Sequence, residues 1–139
     1  MKPIKKPRAR RAAAALELAL LLPPLCLLAL GSLDVARMLF AYTTITNCAR
    51  NGALHASDAT AAVNSPYSSY QQAAIVDGSS LSPALATTDV SMSTGSDGYG
   101  SYVDVTVTYK VASLSNLLSS STSTLSRTVR MRVVPASPG

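Results

Sequence analysis

Apolar and polar positions divide the chain into three stretches with different periodicity. Residues 12–33 are almost continuously apolar, and Glu17 and Ser32 are their only strongly polar side chains. About 20 apolar residues are needed for a helix to cross the hydrocarbon core of a bilayer, and only a helix satisfies its own backbone groups there. The first stretch therefore predicts a transmembrane helix over 12–33.

The second stretch, from Asp34 onward, is amphipathic and follows the first without a break. Its apolar side chains recur at helical spacing and form a stripe: Val35, Leu39, Tyr42, Ile45, Ala49, Ala53 and Ala56. This stripe predicts that the helix continues beyond the membrane and that its apolar face covers either the protein's own sheet or neighbouring helices. Asp34 and Arg37 are three residues apart, so we expect them to pair on the opposite face.

The third stretch begins with a loop and a short helix, predicted from about Tyr67 to Val76. The period then changes to two, which is typical of strands with one buried face. Three runs share this alternation: 89–93, 102–110 and 128–133. The glycine- and serine-rich residues 95–101 are suited to a hairpin turn, and we predict one helical turn for Leu114, Leu117 and Leu118.

Three antiparallel strands with one apolar face need a cover, and the amphipathic helix stripe is the available one. The predicted fold is therefore α+β. A long N-terminal helix, first transmembrane and then amphipathic, packs on a small three-stranded antiparallel sheet.

Basic residues are concentrated before the apolar run. Six of the 12 lysines and arginines lie in residues 1–11, whereas six basic and six acidic residues balance from Asp34 onward. The positive-inside rule therefore predicts a cytoplasmic tail (1–11), a transmembrane helix (12–33), an exported continuation (34–62) and a small outer domain (63–139). A nucleic-acid partner is disfavoured, because the folded part lacks the excess positive charge.

A cleaved signal peptide is the main alternative for the apolar run. Its cleavage site needs small residues, and leucines at 28, 30 and 33 occupy the exit of this run, which favours a retained anchor.

Two features within the apolar run are unusual. Pro23 and Pro24 remove two amide donors in succession, which predicts a helix kink. Glu17 is a carboxylate near the cytoplasmic end, where it either reaches the interface or has a charged partner in the bilayer. Arg10, Arg11 and the amino group of a neighbouring subunit are the candidate partners.

Four segments carry a resemblance to a known family. Arg10–Leu18 is similar to an Arg-Arg-Gly-small-small-small-Val-Glu-Phe start, and Leu20–Pro23 to its leucine-rich continuation with proline. Asp34–Arg37 is similar to an acidic-x-small-Arg step, and Asn47–Ala53 to Asn-Ala-Ala-Arg-x-Gly-Ala. Residues 10–56 thus resemble the TadE-like family of the tight-adherence (Flp) pilus system, a group of pilin-like proteins.

The resemblance implies a pilin-like fold and a minor pseudopilin of a Flp or type IV pilus, or of a related secretion assembly. It implies pilin and pseudopilin subunits and an assembly platform as partners, in the inner membrane of a bacterium with the C-terminal domain periplasmic. It also implies a prepilin peptidase that cuts between Ala12 and Ala13, which makes Glu17 the fifth residue of the mature chain. Ala12 replaces the family's glycine and Leu18 its aromatic residue.

The residues that could support catalysis are few. His55 is the only histidine, and no histidine, cysteine or carboxylate cluster has the spacing of a metal site. We therefore expect no enzyme activity, no cofactor and no metal. The alternative function is a single-pass anchored exported binding protein with no role in a pilus.

Overall fold

The structure is a computed structural model that describes residues 8–113 and 122–134. Helix α1 spans Arg8–Ser57 and passes through Pro23 and Pro24 without interruption. Its apolar part projects away from the rest of the protein, because none of the most apolar window is buried. Among the described residues, α1 is the helix that is long and apolar enough to cross a membrane.

Two short helices follow α1. Asp58 accepts hydrogen bonds from the amides of Thr60 and Ala61 and begins α2 (Ala59–Val63). The hydroxyl of Ser69 accepts a hydrogen bond from the amide of Gln72 and begins α3 (Tyr70–Ile75). The short helix predicted near 67–76 is therefore present, but it starts at this cap instead of at Tyr67. Two 3₁₀ turns, Asp77–Ser80 and Thr87–Asp89, lead into the sheet.

The sheet has three antiparallel strands in sequence order: β1 (Val90–Asp97), β2 (Gly100–Ala112) and β3 (Thr122–Arg132). The prediction of a three-stranded antiparallel sheet on a long helix is confirmed. The hairpin turn is tighter than the predicted 95–101, because Gly95 and Ser96 pair with β2. At its end Gly100 has a φ of +119°, a conformation open to glycine.

The core lies between the outer half of α1, residues 34–57, and the inner face of β2. Val103, Val105 and Val107 are each at most 1% exposed. On the helix, Ile45, Cys48, Ala49 and Ala53 are fully buried against them. The sheet lies close to the helix at Gly52, where a Cβ would lie only 3.2 Å from Val105 Cγ1.

The predicted helix stripe is correct only in its outer half. Val35 and Leu39 are 46% and 60% exposed, so the expectation that they cover the sheet is wrong. Tyr42 is 39% exposed and lies at the margin of the sheet, where its ring faces Arg127. The face that packs on the sheet instead begins with Asp34 and passes through Ala41. This face carries several small side chains besides Ile45, so the strands can lie close to the helix, as they do at Gly52.

The predicted pair of Asp34 and Arg37 is also wrong. Asp34 is 2% exposed and accepts a hydrogen bond of 2.8 Å from Ser113 Oγ. Arg37 instead donates to the carbonyl of Ala112, at 3.5 Å. Both side chains bind the end of β2 because it lies beside this turn of the helix. The turn predicted for Leu114, Leu117 and Leu118 lies outside the described residues.

Candidate functional site

The residues that the sequence singles out lie on the apolar half of α1. Ala12, Ala13 and Glu17 belong to a helical stretch in which every described side chain is exposed. Glu17 forms no ion pair with any side chain that the structure describes, Arg11 included; that of Arg10 lies outside the described set. Five residues of helix separate Glu17 from Ala12, a rise of about 7.5 Å.

Pro23 and Pro24 lie in the middle of this apolar stretch. A proline has no amide proton, so the carbonyls four residues earlier, of Ala19 and Leu20, lose their intrahelical donors. Leu20 and Leu21 are 74% and 56% exposed, so no other part of the described protein covers this region. The kink at the two prolines stays a prediction.

The outer half of α1 is fixed to the sheet at both ends. Near residue 34, the bonds of Asp34 and Arg37 hold the end of β2. At the other end, the carbonyl oxygen of Ser57 accepts a hydrogen bond of 2.9 Å from the amide of Val134. The hydroxyl of Ser57 lies 3.9 Å from Met131 Sδ. Helix and sheet therefore form one body, and no flexible linker separates the apolar half of α1 from the outer domain.

The solvent face of the sheet carries two ion pairs near the β1–β2 turn. Arg130 donates two hydrogen bonds of 2.7 Å to the carboxylate of Asp104, and Arg132 pairs with Asp97 in the same way. The guanidinium of Arg130 also lies 3.8 Å from the centre of the Tyr102 ring. These hydrogen bonds hold the pKa of both carboxyl groups below its ordinary value.

Sequence reasoning missed this cluster because the strand register was unknown. Asp104 and Arg130 are directly opposite each other in the register of β2 and β3. Opposite charges at facing positions stabilise antiparallel pairs. A search for the alignment that brings Asp104 opposite an arginine would have found the pair.

Two polar pairs of described residues lie side by side between α1 and α3. His55 Nε2 lies 3.1 Å from the carbonyl oxygen of Tyr67, and Asn51 donates to Asp77 at 2.6 Å. Both pairs line a cavity of about 310 Å³ between α1 and α3. Within residues 8–113 and 122–134, no three histidine, cysteine or acidic side chains come together to hold a metal ion.

The two cysteines are far apart and chemically different. Cys26 is exposed on the apolar half of α1, whereas Cys48 is fully buried. Burial, assisted by the nearby charge of Asp77, raises the pKa of the Cys48 thiol to about 11. A thiol with such a pKa is a poor nucleophile at neutral pH. Along a continuous helix the two residues are about 33 Å apart, too far for a disulfide.

The comparison with known proteins gives one match. Residues 12–54 match the model of a protein family described as TadE-like protein. The match begins at the apolar half of α1 and ends among the helix residues that pack on the sheet. No curated protein and no solved structure matches the chain.

Proposed function

We propose that this chain, which is TadE-like over residues 12–54, is a membrane-anchored structural component of a tight-adherence (Flp) pilus or a related secretion assembly. The observation that carries the proposal is the position of the family match. It covers the exposed apolar helix and the helix face that holds the sheet. TadE-like proteins are a pilus-associated structural family and are not known as enzymes.

In this proposal residues 12–33 lie in the bacterial inner membrane with residues 1–11 in the cytoplasm. The leucines between 16 and 33 are 43–74% exposed, which suits contact with lipid. Protease added to intact spheroplasts is then expected to remove the outer domain, 63–139, and to spare the N-terminal tail. Removal of the tail with the outer domain protected would contradict this orientation.

Glu17 is proposed as the assembly residue within the bilayer. A carboxylate is costly at this depth unless it has a partner. Processing between Ala12 and Ala13 by a prepilin peptidase would supply one, because the new amino-terminus of an adjacent subunit is a cation. Sequencing the first residues of the chain with and without the peptidase tests this step, and a mature chain that still starts at Met1 would contradict it.

The test of the function is a comparison of two variants in a bacterium that lacks the native copy. Glu17→Ala is expected to abolish surface pili and capture of pilin partners, while the chain still inserts in the membrane. Ser32→Ala, on the same helix, is the matched control, because Ser32 bonds only to its own helix at Ala29 among the described residues. Normal piliation and partner capture in Glu17→Ala would refute the role of the carboxylate.

A further inference from the structure

The end of the outer domain nearest the apolar helix has a fixed height above the bilayer. If Leu33 is the last residue in the hydrocarbon, Arg37 lies about 6 Å beyond it by helical rise. The headgroup layer on each side of a bilayer is about 5–8 Å deep. Because Arg37 and Asp34 bind the end of β2, Ala112 and Ser113 also lie at headgroup level.

Two exposed cations, Arg37 and Lys110, lie at this end. Lys110 precedes Ala112 by two residues, about 7 Å along the strand, and is exposed. Arg127 lies farther from the bilayer, because it is opposite Val107, about 17 Å along the strand from Ala112. Its guanidinium lies 5.1 Å from the centre of the Tyr42 ring. Neither Lys110 nor Arg127 forms an ion pair with another described residue, because the two ion pairs among those residues belong to Arg130 and Arg132.

The carboxylates of the described outer part either accept hydrogen bonds within the protein or lie farther from the bilayer than Arg37 and Lys110. Asp34 is buried and bonded to Ser113, and Asp89, on the β1 side, accepts the amide of Ala86. The remaining acidic residues of the described outer part lie about 25 Å or more above residue 34, judged from helical and strand rise: Asp58, Asp77, Asp97 and Asp104. The two exposed cations nearest the bilayer, Arg37 and Lys110, therefore have no exposed carboxylate of the described residues at their height. Half-buried Asp89 lies higher, at about the height of Arg127.

The apolar surface next to these cations continues the lipid-facing surface of the helix. Leu33, Val35 and Leu39 are 54%, 46% and 60% exposed, and no described part of the chain covers them. Exposed apolar side chains together with lysine and arginine suit contact with the interface of a bilayer that contains anionic lipids. A bilayer that already holds residues 12–33 reaches this face without any further partner.

We propose that the membrane-proximal surface, formed by Val35, Arg37, Leu39 and Lys110, docks on anionic phospholipid headgroups of the bilayer that holds the helix. This inference rests on the membrane anchoring in the proposed function, and it is independent of any role in a pilus. Docking fixes the tilt of the outer domain and keeps the lower end of the sheet at the lipid surface.

The test places a reporter beside Lys110 in the full-length chain. The chain contains no tryptophan, so Thr124→Trp, at the exposed position opposite Lys110, gives a single signal. Ser96→Trp, near the β1–β2 turn, is the distant control. Each chain is reconstituted in vesicles of phosphatidylcholine, alone or mixed with phosphatidylglycerol, and quenching by brominated lipid is measured.

The expected result is stronger quenching of the Thr124→Trp reporter in the anionic vesicles than in phosphatidylcholine alone. The difference is expected at 0.1 M salt, where the Debye length is about 10 Å, and to disappear at 1 M, where it is about 3 Å. Lys110→Glu is expected to lower the ratio of docked to undocked chains about 25-fold, and Lys110→Gln about fivefold. Arg50→Glu, the same charge change on an exposed helix position far from the bilayer, leaves the ratio unchanged.

Equal quenching in both kinds of vesicle, or quenching unaffected by Lys110→Glu, would overturn the proposal. So would a reporter that is shielded from water without being quenched by brominated lipid, because a protein partner would then cover this surface. Resistance to alkaline extraction shows separately that each chain has inserted. The result is thus distinguishable from failure of the proposed pilus role, which is tested in cells by Glu17→Ala.

Discussion

Truncating Ile45 tests which face of α1 packs on the sheet. Ile45 is fully buried among the valines of β2, whereas Leu39, on the same helix, is 60% exposed. Replacing a buried isoleucine with alanine removes its apolar contacts and leaves a cavity, which costs about 3 kcal/mol. Replacing an exposed leucine is expected to cost less than about 0.5 kcal/mol.

Cys48 provides the assay, because its buried thiol can react only when the outer domain opens. In a Cys26→Ser chain held in detergent, the labelling rate of Cys48 reports the population of the unfolded outer domain. A cost of 3 kcal/mol then appears as labelling that is about 150-fold faster for Ile45→Ala. Leu39→Ala is expected to change the rate about twofold or less.

The sequence stripe makes a different prediction for the same pair of variants. If Leu39 covered the sheet, as its spacing suggests, Leu39→Ala would open the domain about as much as Ile45→Ala. Similar labelling rates for the two variants would therefore refute the packing described for α1. Because both changes replace one branched aliphatic side chain of the same helix with alanine, helix propensity does not separate them.

Two further predictions concern the face of the sheet turned to solvent. The pKa values of Asp97 and Asp104 lie below the ordinary 3.8. The stability that these two carboxylates contribute is therefore complete above the unfolded-state pKa and is lost as the pH falls through the folded-state pKa. Thermal unfolding followed by circular dichroism should show a loss of stability below about pH 4 that is smaller in Asp104→Asn; an unchanged acid loss would contradict the role of the pair. Gly95→Ala should destabilise the chain by about 1 kcal/mol, because its Cβ would lie 2.5 Å from the Tyr102 ring, whereas Gly98→Ala meets no atom within 4 Å and serves as the control.

The secondary structure was largely readable from the sequence because each element has its own periodicity. The alternation of Val103, Val105 and Val107 predicts a strand with one buried face, and the structure confirms it. The hairpin was also readable, since glycine and aspartate near residue 98 favour a tight turn. These patterns are local, so a single sequence contains them.

The helix face was misread because apolar spacing does not say which side the sheet approaches. Val35, Leu39 and Tyr42 share the stripe of Ile45, but the sheet lies on the side of Asp34 and Ala41. The buried carboxylate of Asp34 accepts a hydrogen bond from Ser113, a residue 79 positions away. A contact over that distance in sequence leaves no periodic signal. The candidate residues Glu17, Pro23 and Pro24 came from the family resemblance and from helix chemistry, and their roles stay predictions.

The direction of α1 along the sheet restricts how copies of this protein can join. The outer half of α1 begins beside Ala112 and ends beside Val134, so the helix lies along the strands. β1 is at one edge of the sheet, and antiparallel pairing of two β1 strands would place a two-fold axis perpendicular to the sheet. That rotation reverses the helix, so the two anchors would leave in opposite directions. Subunits anchored side by side in one membrane therefore cannot form the continuous two-fold sheet that is available to many unanchored proteins.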